Sequence, residues 1–227
     1  YNFFWLCFLL WAMAIPLHAR IFVLMHDFGH SYTVRPLWLN NLFGHLCALT
    51  YGMPFFIWQE LHLRHHGNQG NLEKRGRSLD LWIMTTDEFR SASKFGQILY
   101  RIYHFPAVTF ILGGLVFFIF VMRWPFEKFK TKRLINLCLI NFLWFSIFFI
   151  YQQNVEIRSF LNFWGMVASV NFIQAIWYFY HQHMHPRIQW YARDQYSNDK
   201  VSFYGSTYIV FPRWFKWFSA NIGYHHL

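Results

Sequence analysis

Five runs of this sequence contain no Lys, Arg, Asp or Glu: residues 1–17, 42–58, 105–122, 134–151 and 160–180. The hydrocarbon core of a bilayer takes about 20 apolar helical residues. Residues 1–17 (with a helix continuing to about residue 30), 134–151 and 160–180 therefore read as membrane spans. The other two runs are interrupted, one by Gly44, His45, Gly52 and Pro54 and the other by Gly113-Gly114. They read as re-entrant or interfacial hairpins. Only 13% of the chain is charged, against about one quarter in soluble proteins, so lipid must cover part of so large an apolar surface. The expected fold is an all-α integral membrane protein, a multi-span helical bundle with the polar segments forming a cap, in one domain over residues 1–227. The chain begins inside an apolar run and ends on His-His-Leu, so both ends read as truncations of a longer, four-span protein.

The distribution of charge sets an expected orientation. The net charge is +10, but the cations lie between apolar runs and not on one soluble face, so membrane asymmetry explains them better than nucleic acid. Arg123, Lys128, Lys130, Lys132 and Arg133 crowd the segment 123–133, which places it in the cytoplasm. Segment 152–159 holds only Arg158 and Glu156 and falls outside. With 42–58 and 105–122 as hairpins, 18–104 and everything after 180 share the cytoplasmic side. Cys7, Cys47 and Cys138 lie in apolar runs without paired spacing and read as buried structural residues.

Thirteen histidines remain to be explained. His26 and His30 stand four apart, on one helix face. His62, His65 and His66 share a face in the same way. His181, His183 and His185 alternate just after the last span, and His225-His226 end the chain. On the expected topology all four groups meet on one side of the membrane. Imidazole suits iron, copper and zinc. A catalytic zinc needs about three protein ligands, and eight or nine histidines fit two metals. A haem held by two histidines needs them inside spans, yet 134–151 and 160–180 contain none. Two irons with O2 and external electrons would supply the oxidation of an unactivated methylene, which acid–base chemistry cannot perform.

The residues around these groups resemble the membrane fatty-acid desaturases, most closely the Δ12/ω6 acyl-lipid branch. Arg20-Ile21-Phe22 leads to HDFGH. Then follow Gly44, Leu49-Thr50, Pro54, Trp58, HLRHH, Gly70-Asn71-Leu72-Glu73-Lys74-Arg75-Gly76 and Asp80-Leu81-Trp82. Later come Phe179-Tyr180-His181-Gln182-His183, Tyr191-Ala192-Arg193-Asp194, Gly205-Ser206 and NIGYHH. The resemblance covers residues 20–227. It implies an O2-dependent desaturase placing a cis double bond in a lipid-linked acyl chain. It also implies two iron ions and an acidic electron donor of ferredoxin or cytochrome b5 type.

Carried over by position, the iron ligands would be His26, His30, His62, His65, His66, His183 and His225. His181 matches a valine and His226 a spacer. Two further ligands would follow Leu227, so the chain as given is expected to be inactive. Asp27, Asp194 and Asn221 are candidates to orient the histidines. Asn136, Asn141, Asn162, Asn171 and Gln174 would hold helices together, and His18, His45 and His104 would be interfacial. The chain departs from the pattern at Phe28, at Arg77-Ser78-Leu79 and at His185-Pro186. Competing readings are a di-iron carotenoid or alkane hydroxylase or ketolase, a haem protein, and a zinc protein.

Overall fold

The computed structural model describes residues 2–76, 80–123, 131–224 and 226, without the side chains of residues 2–4 and 155. The departure at 77–79 and His225 lie outside the described residues, as does most of the basic segment, 124–130. The regular elements of the described chain are all helices. Its only β-type contact is an isolated bridge between Asn71 and Tyr191.

Helix α1 runs Asn2–Gly29, followed by α2 (Leu37–Leu49) and α3 (Phe55–Asn68). After two short helices, α4 (Thr86–Ser91) and α5 (Lys94–Tyr103), a π-helical turn Ala107–Leu112 leads into α6 (Gly113–Ile119). Helices α7 (Thr131–Gln153) and α8 (Val155–His183) form a long hairpin. The remainder carries α9 (Asn198–Tyr204), α10 (Arg213–Phe218) and a last 3-10 turn, Ile222–Tyr224.

Among the described residues, three helices are long and apolar enough to cross a membrane: Trp5–Gly29, Thr131–Gln153 and Glu156–His183. They are the three spans expected from the sequence. Their faces stay apolar where nothing protein covers them, as at Leu9, Met13, Phe142, Phe145 and Phe149. Run 42–58 folds back on itself as α2, a turn at 50–54, and the start of α3. Gly52 makes that turn at φ +61°, and a Cβ there would fall 2.4 Å from Trp144 Nε1. The stretch 94–123 is bent by 64° between α5 and the helices after it.

The junction of α7 and α8 differs from expectation. Residues 152–159 are not a loop, because helix runs up to Gln153 and resumes at Val155. Asn154 alone makes the turn, and its side chain accepts from the backbone N–H of Glu156 (2.9 Å) and Ile157 (3.0 Å). An Asn cap satisfies the new helix's first donors, so no longer loop is needed.

The core sits where α1, α2, α3, α6 and α8 meet, around Met25, Tyr51, Met53, Phe55, Trp58, Phe118 and Phe172. Phe118 stacks on Phe172 with ring centroids 4.5 Å apart. Helices gain little from the hydrophobic effect in lipid, so close packing and polar contacts must hold them. Gly114 shows the first, since a Cβ there would lie 2.9 Å from the Phe172 carbonyl oxygen.

The span asparagines show the second. Asn136 of α7 accepts from the Phe56 N–H at 3.1 Å. Asn171 of α8 donates to the Ile15 carbonyl of α1 at 3.3 Å. His18 is not interfacial. It is buried within the Trp5–Gly29 span, stacked on Tyr51 at 4.0 Å, with Nε2 3.3 Å from the Thr50 carbonyl and Nδ1 3.4 Å from Asn171 Nδ2. The α2–α3 hairpin supplies the partners that make this burial tolerable.

Candidate metal centre

Helix ends build the site. His26 lies in the last turn of α1 and His30 just past it. His62, His65 and His66 lie on the second half of α3, His183 ends α8, and His226 follows the final 3-10 turn. Because α1 and α8 both deliver their C-terminal turns here, they run parallel. Helix α7, which runs back along α8, therefore begins on the histidine side.

The chain fastens each element. Asn40 Nδ2 donates to the Phe28 carbonyl at 2.8 Å. Gln59 Nε2 donates to the Gly29 carbonyl (2.9 Å) and to Ser31 Oγ (3.1 Å), tying the end of α1 to α3. The Trp58 ring stacks on His62, 4.6 Å between centroids and 11° from parallel. Gln182 Nε2 donates to the Ile222 carbonyl at 3.0 Å, which holds the final turn against α8.

Two groups of imidazoles result. His26, His30, His62 and His66 bring one ring nitrogen each within 4.8 Å of one another, and so do His65, His183 and His226. Individual nitrogen pairs are closer: His62 to His30 at 3.3 Å, His66 to His62 at 3.0 Å, His65 to His183 at 3.2 Å. The groups adjoin, with the His66 and His226 ring centroids 4.6 Å apart.

Burial pushes the His66 imidazole down to about 3, helped by His65, His30 and His26. Burial also lowers His30, with His26 adding to the effect and Asp27 opposing it. Neutral imidazole is the form that binds a metal.

Carboxylates stand behind both groups. Asp27 Oδ1 lies 3.1 Å from His26 Nδ1, with its own side chain 46% exposed. Asp80 Oδ1 lies 2.9 Å from His65 Nδ1, and both side chains are only 3% exposed. Its other oxygen accepts the Gly76 N–H at 3.0 Å. A carboxylate on Nδ1 fixes the tautomer that leaves Nε2 free to ligate.

The structure thus brings together six of the seven expected ligands, His26, His30, His62, His65, His66 and His183, and sets Asp27 against His26. It adds two residues that the sequence reading did not select. His226 had been assigned to a spacer, and Asp80 had been read only as part of a motif. Asp80 carried little signal of its own, lying 14 residues after His66 in a polar stretch that also holds Glu73, Lys74 and Arg75.

Asp194 and Asn221 are not at the centre. Asp194 is exposed, and Asn221 is exposed in a left-handed turn (φ 59°), where its carbonyl accepts the Tyr224 N–H at 2.9 Å. His181 is exposed, its Nδ1 2.8 Å from the Trp177 carbonyl one turn back. His104 holds the Trp82 carbonyl at 2.9 Å, and His45 packs on Phe56 at 4.5 Å.

A cavity of about 1190 Å³ opens beside the histidines. His26 and His62 line it, and its walls are mostly apolar, including Phe22, Val116, Phe118 and Phe179. Seven imidazoles in two adjoining groups, no thiolate, and carboxylates on outer ring nitrogens suit two borderline metal ions better than one.

Comparison with known proteins identifies the family. The fatty acid desaturase family profile matches residues 3–227, and the chain belongs to that family. It is 29% identical over 92% of its length to a fatty acid desaturase of Bacillus subtilis, covering 59% of that protein. It is 24% identical over 95% of its length to an sn-1 oleoyl-lipid 12-desaturase of Picosynechococcus, covering 61% of it. It is 30% identical over 47% of its length to an sn-1 acyl-lipid omega-3 desaturase (ferredoxin) of Nostoc, covering 30% of it. The chain therefore spans about six tenths of the length of the first two. No solved structure matches it.

Proposed function

We propose that this chain is the histidine-bearing part of an O2-dependent fatty acyl desaturase that introduces a cis double bond. The observation carrying the reading is the pair of adjoining imidazole groups opening onto a long apolar cavity. His26, His30, His62 and His66 would hold one iron. His65 and His183, with His226 or His225, would hold the other. Two irons bound there would supply, with O2 and two electrons, the power to remove hydrogens from an unactivated methylene.

The chain's own residues do the rest. The cavity wall orients an acyl chain past His26 and His62 and excludes water. Asp80 and Asp27 hold protons on the outer ring nitrogens. Trp58 fixes the ring plane of His62. The relatives named as 12-desaturases support Δ12/ω6 placement on a lipid-linked acyl group.

The excess of cations on the histidine side supports a cytoplasmic location for the site. It also supports an acidic donor of ferredoxin or cytochrome b5 type. The same site on another substrate would hydroxylate, and product analysis separates the two.

The test expresses the full-length gene in a host that makes no polyunsaturated lipid, followed by gas chromatography of fatty-acid methyl esters. A diunsaturated C18 product, abolished by His65→Ala, supports the assignment. An unchanged profile from iron-loaded protein, or a hydroxylated product, rejects it.

A further inference from the structure

One apolar segment after the last span has no part in the proposed desaturation. From residue 201 to residue 221 the only charged side chains are Arg213 and Lys216. Within this segment α10 reads RWFKWF. Its Phe215 and Phe218 line the cavity. The neighbouring face carries Trp214 and Trp217, which are 67% and 57% exposed. Val210, on the approach to the helix, is exposed as well. Six residues of helix rise about 9 Å, far short of the roughly 30 Å of a bilayer core, so α10 is not a further span.

The depth of α10 follows from its anchors. The segment leaves the end of α8, where the Thr207 N–H donates to the Gln182 carbonyl (2.9 Å) and Thr207 Oγ1 to the His181 carbonyl (2.7 Å). It returns to the same place, since the Ile222 carbonyl accepts from Gln182 Nε2 at 3.0 Å. Between these points α10 packs on α1. Arg20 of α1 donates to the Trp217 carbonyl, and its guanidinium lies 4.4 Å from the centre of the Trp217 ring. Asn171 of α8 sets the register of the two parallel helices, because its Nδ2 meets the Ile15 carbonyl and His18. Arg20 is thus level with residues 173–176, about 9–14 Å deeper than Gln182. The segment therefore dips from the end of α8 toward the bilayer centre and comes back.

We propose that residues 208–221 form a re-entrant membrane anchor, with the Trp214–Trp217 face of α10 lying against lipid at the headgroup boundary of the leaflet on the histidine side. Arg20 falls inside the Trp5–Gly29 span, where an arginine takes backbone carbonyls and aromatic rings as partners. It stands on the α1 face that also exposes Leu17 and Leu24, so α10 continues a surface that already meets lipid. Tryptophan beside Lys or Arg is the composition of the headgroup layer, with indoles toward the chains and cations toward phosphate. Arg213 and Lys216 match the negative charge of an anionic leaflet. The anchor is independent of the reaction catalysed. It fastens the final turn of the chain to the bilayer.

The test uses the full-length protein with its native cysteines replaced by alanine, in phosphatidylcholine vesicles containing phosphatidylglycerol. A bimane label is placed through Trp214→Cys. Phe145→Cys gives the lipid-facing reference and Asp199→Cys the aqueous one, both at exposed positions. Quenching is read with 5-doxyl phosphatidylcholine in the bilayer and with iodide in the water. The label at position 214 should lose about half its emission to the doxyl lipid, and iodide should quench it less than about half as strongly as the label at 199. Arg20→Gln should raise that iodide quenching about twofold and leave the label at 145 unchanged. If the label at 145 changes too, the variant is misfolded and the reading with Arg20 in place decides. Iodide quenching equal to that at 199, with none from the doxyl lipid, would put α10 in water and overturn the anchor. Protection from both quenchers would overturn it as well, because protein would then cover the face. A label at 214 that ignores Arg20→Gln in a folded variant would overturn the role given to Arg20.

Discussion

Replacing Asp80 by Asn isolates the contribution of one carboxylate to metal affinity. Asp80 Oδ1 lies 2.9 Å from His65 Nδ1, with both side chains 3% exposed. His65 Nε2 in turn faces His183 Nε2 at 3.2 Å. With its proton committed to Asp80, His65 presents a lone pair to the centre of its group. Asn keeps the volume but loses the charge. It can also offer an N–H to Nδ1, which would move the imidazole proton to the nitrogen that must bind metal. Loss of such an outer partner costs about 10–100-fold in metal affinity, or ~1.4–2.8 kcal/mol.

Asp27 is the internal control. It makes the analogous contact to His26 at 3.1 Å, but its carboxylate is 46% exposed, so screening limits Asp27→Asn to under ~1 kcal/mol, or about fivefold. The assay titrates ferrous iron into metal-free full-length protein against a competing chelator, with total iron measured in parallel. Equal affinities for Asp80→Asn and wild type, or a larger loss at Asp27 than at Asp80, would refute the reasoning.

His183→Ala should remove about half of the bound iron and all desaturation, while His181→Ala, whose ring turns back to the Trp177 carbonyl, should keep full iron; metal analysis of both decides it. Gly52→Ala should lower the thermal midpoint, because the residue sits at φ +61° with Trp144 Nε1 2.4 Å from the new Cβ; a cost of about 1–3 kcal/mol is expected, and an unchanged midpoint contradicts it. Glu88, in the capping box of α4, is held down to about 2 first by the Arg75 side chain and then by the Thr85 backbone N–H. Its folded pKa is depressed, so its contribution is fully present above the unfolded value near ~4.5 and disappears as pH falls through about 2. Glu88→Gln should therefore cost under ~1 kcal/mol at neutral pH, since the group is largely exposed, and the gap between variant and wild type in thermal midpoint should close below pH 4.5. A gap that widens in acid would show that the carboxylate is not what holds this turn.

The spans were legible because lipid leaves a one-dimensional signal: an apolar helix of bilayer length needs no partner to be recognised. The Asn154 turn was not, because a one-residue connection carries no composition of its own. Inside the site, legibility followed sequence distance. His26 with His30, and His62 with His65 and His66, share helix faces by spacing alone. The pairing of His65 with His183 spans 118 residues and depends on how the ends of α3 and α8 are brought together. Asp80 and His226 are likewise hidden from a linear reading. Asp80 faces His65 at 2.9 Å and also accepts the N–H of Gly76, a residue at φ +72°. His226 arrives because Gln182 holds the final turn against α8. The histidines within one helix can thus be grouped from local spacing, whereas His183 and His226 join them only through packing. Asp80, which orients His65, sits in a loop where no such spacing points to it.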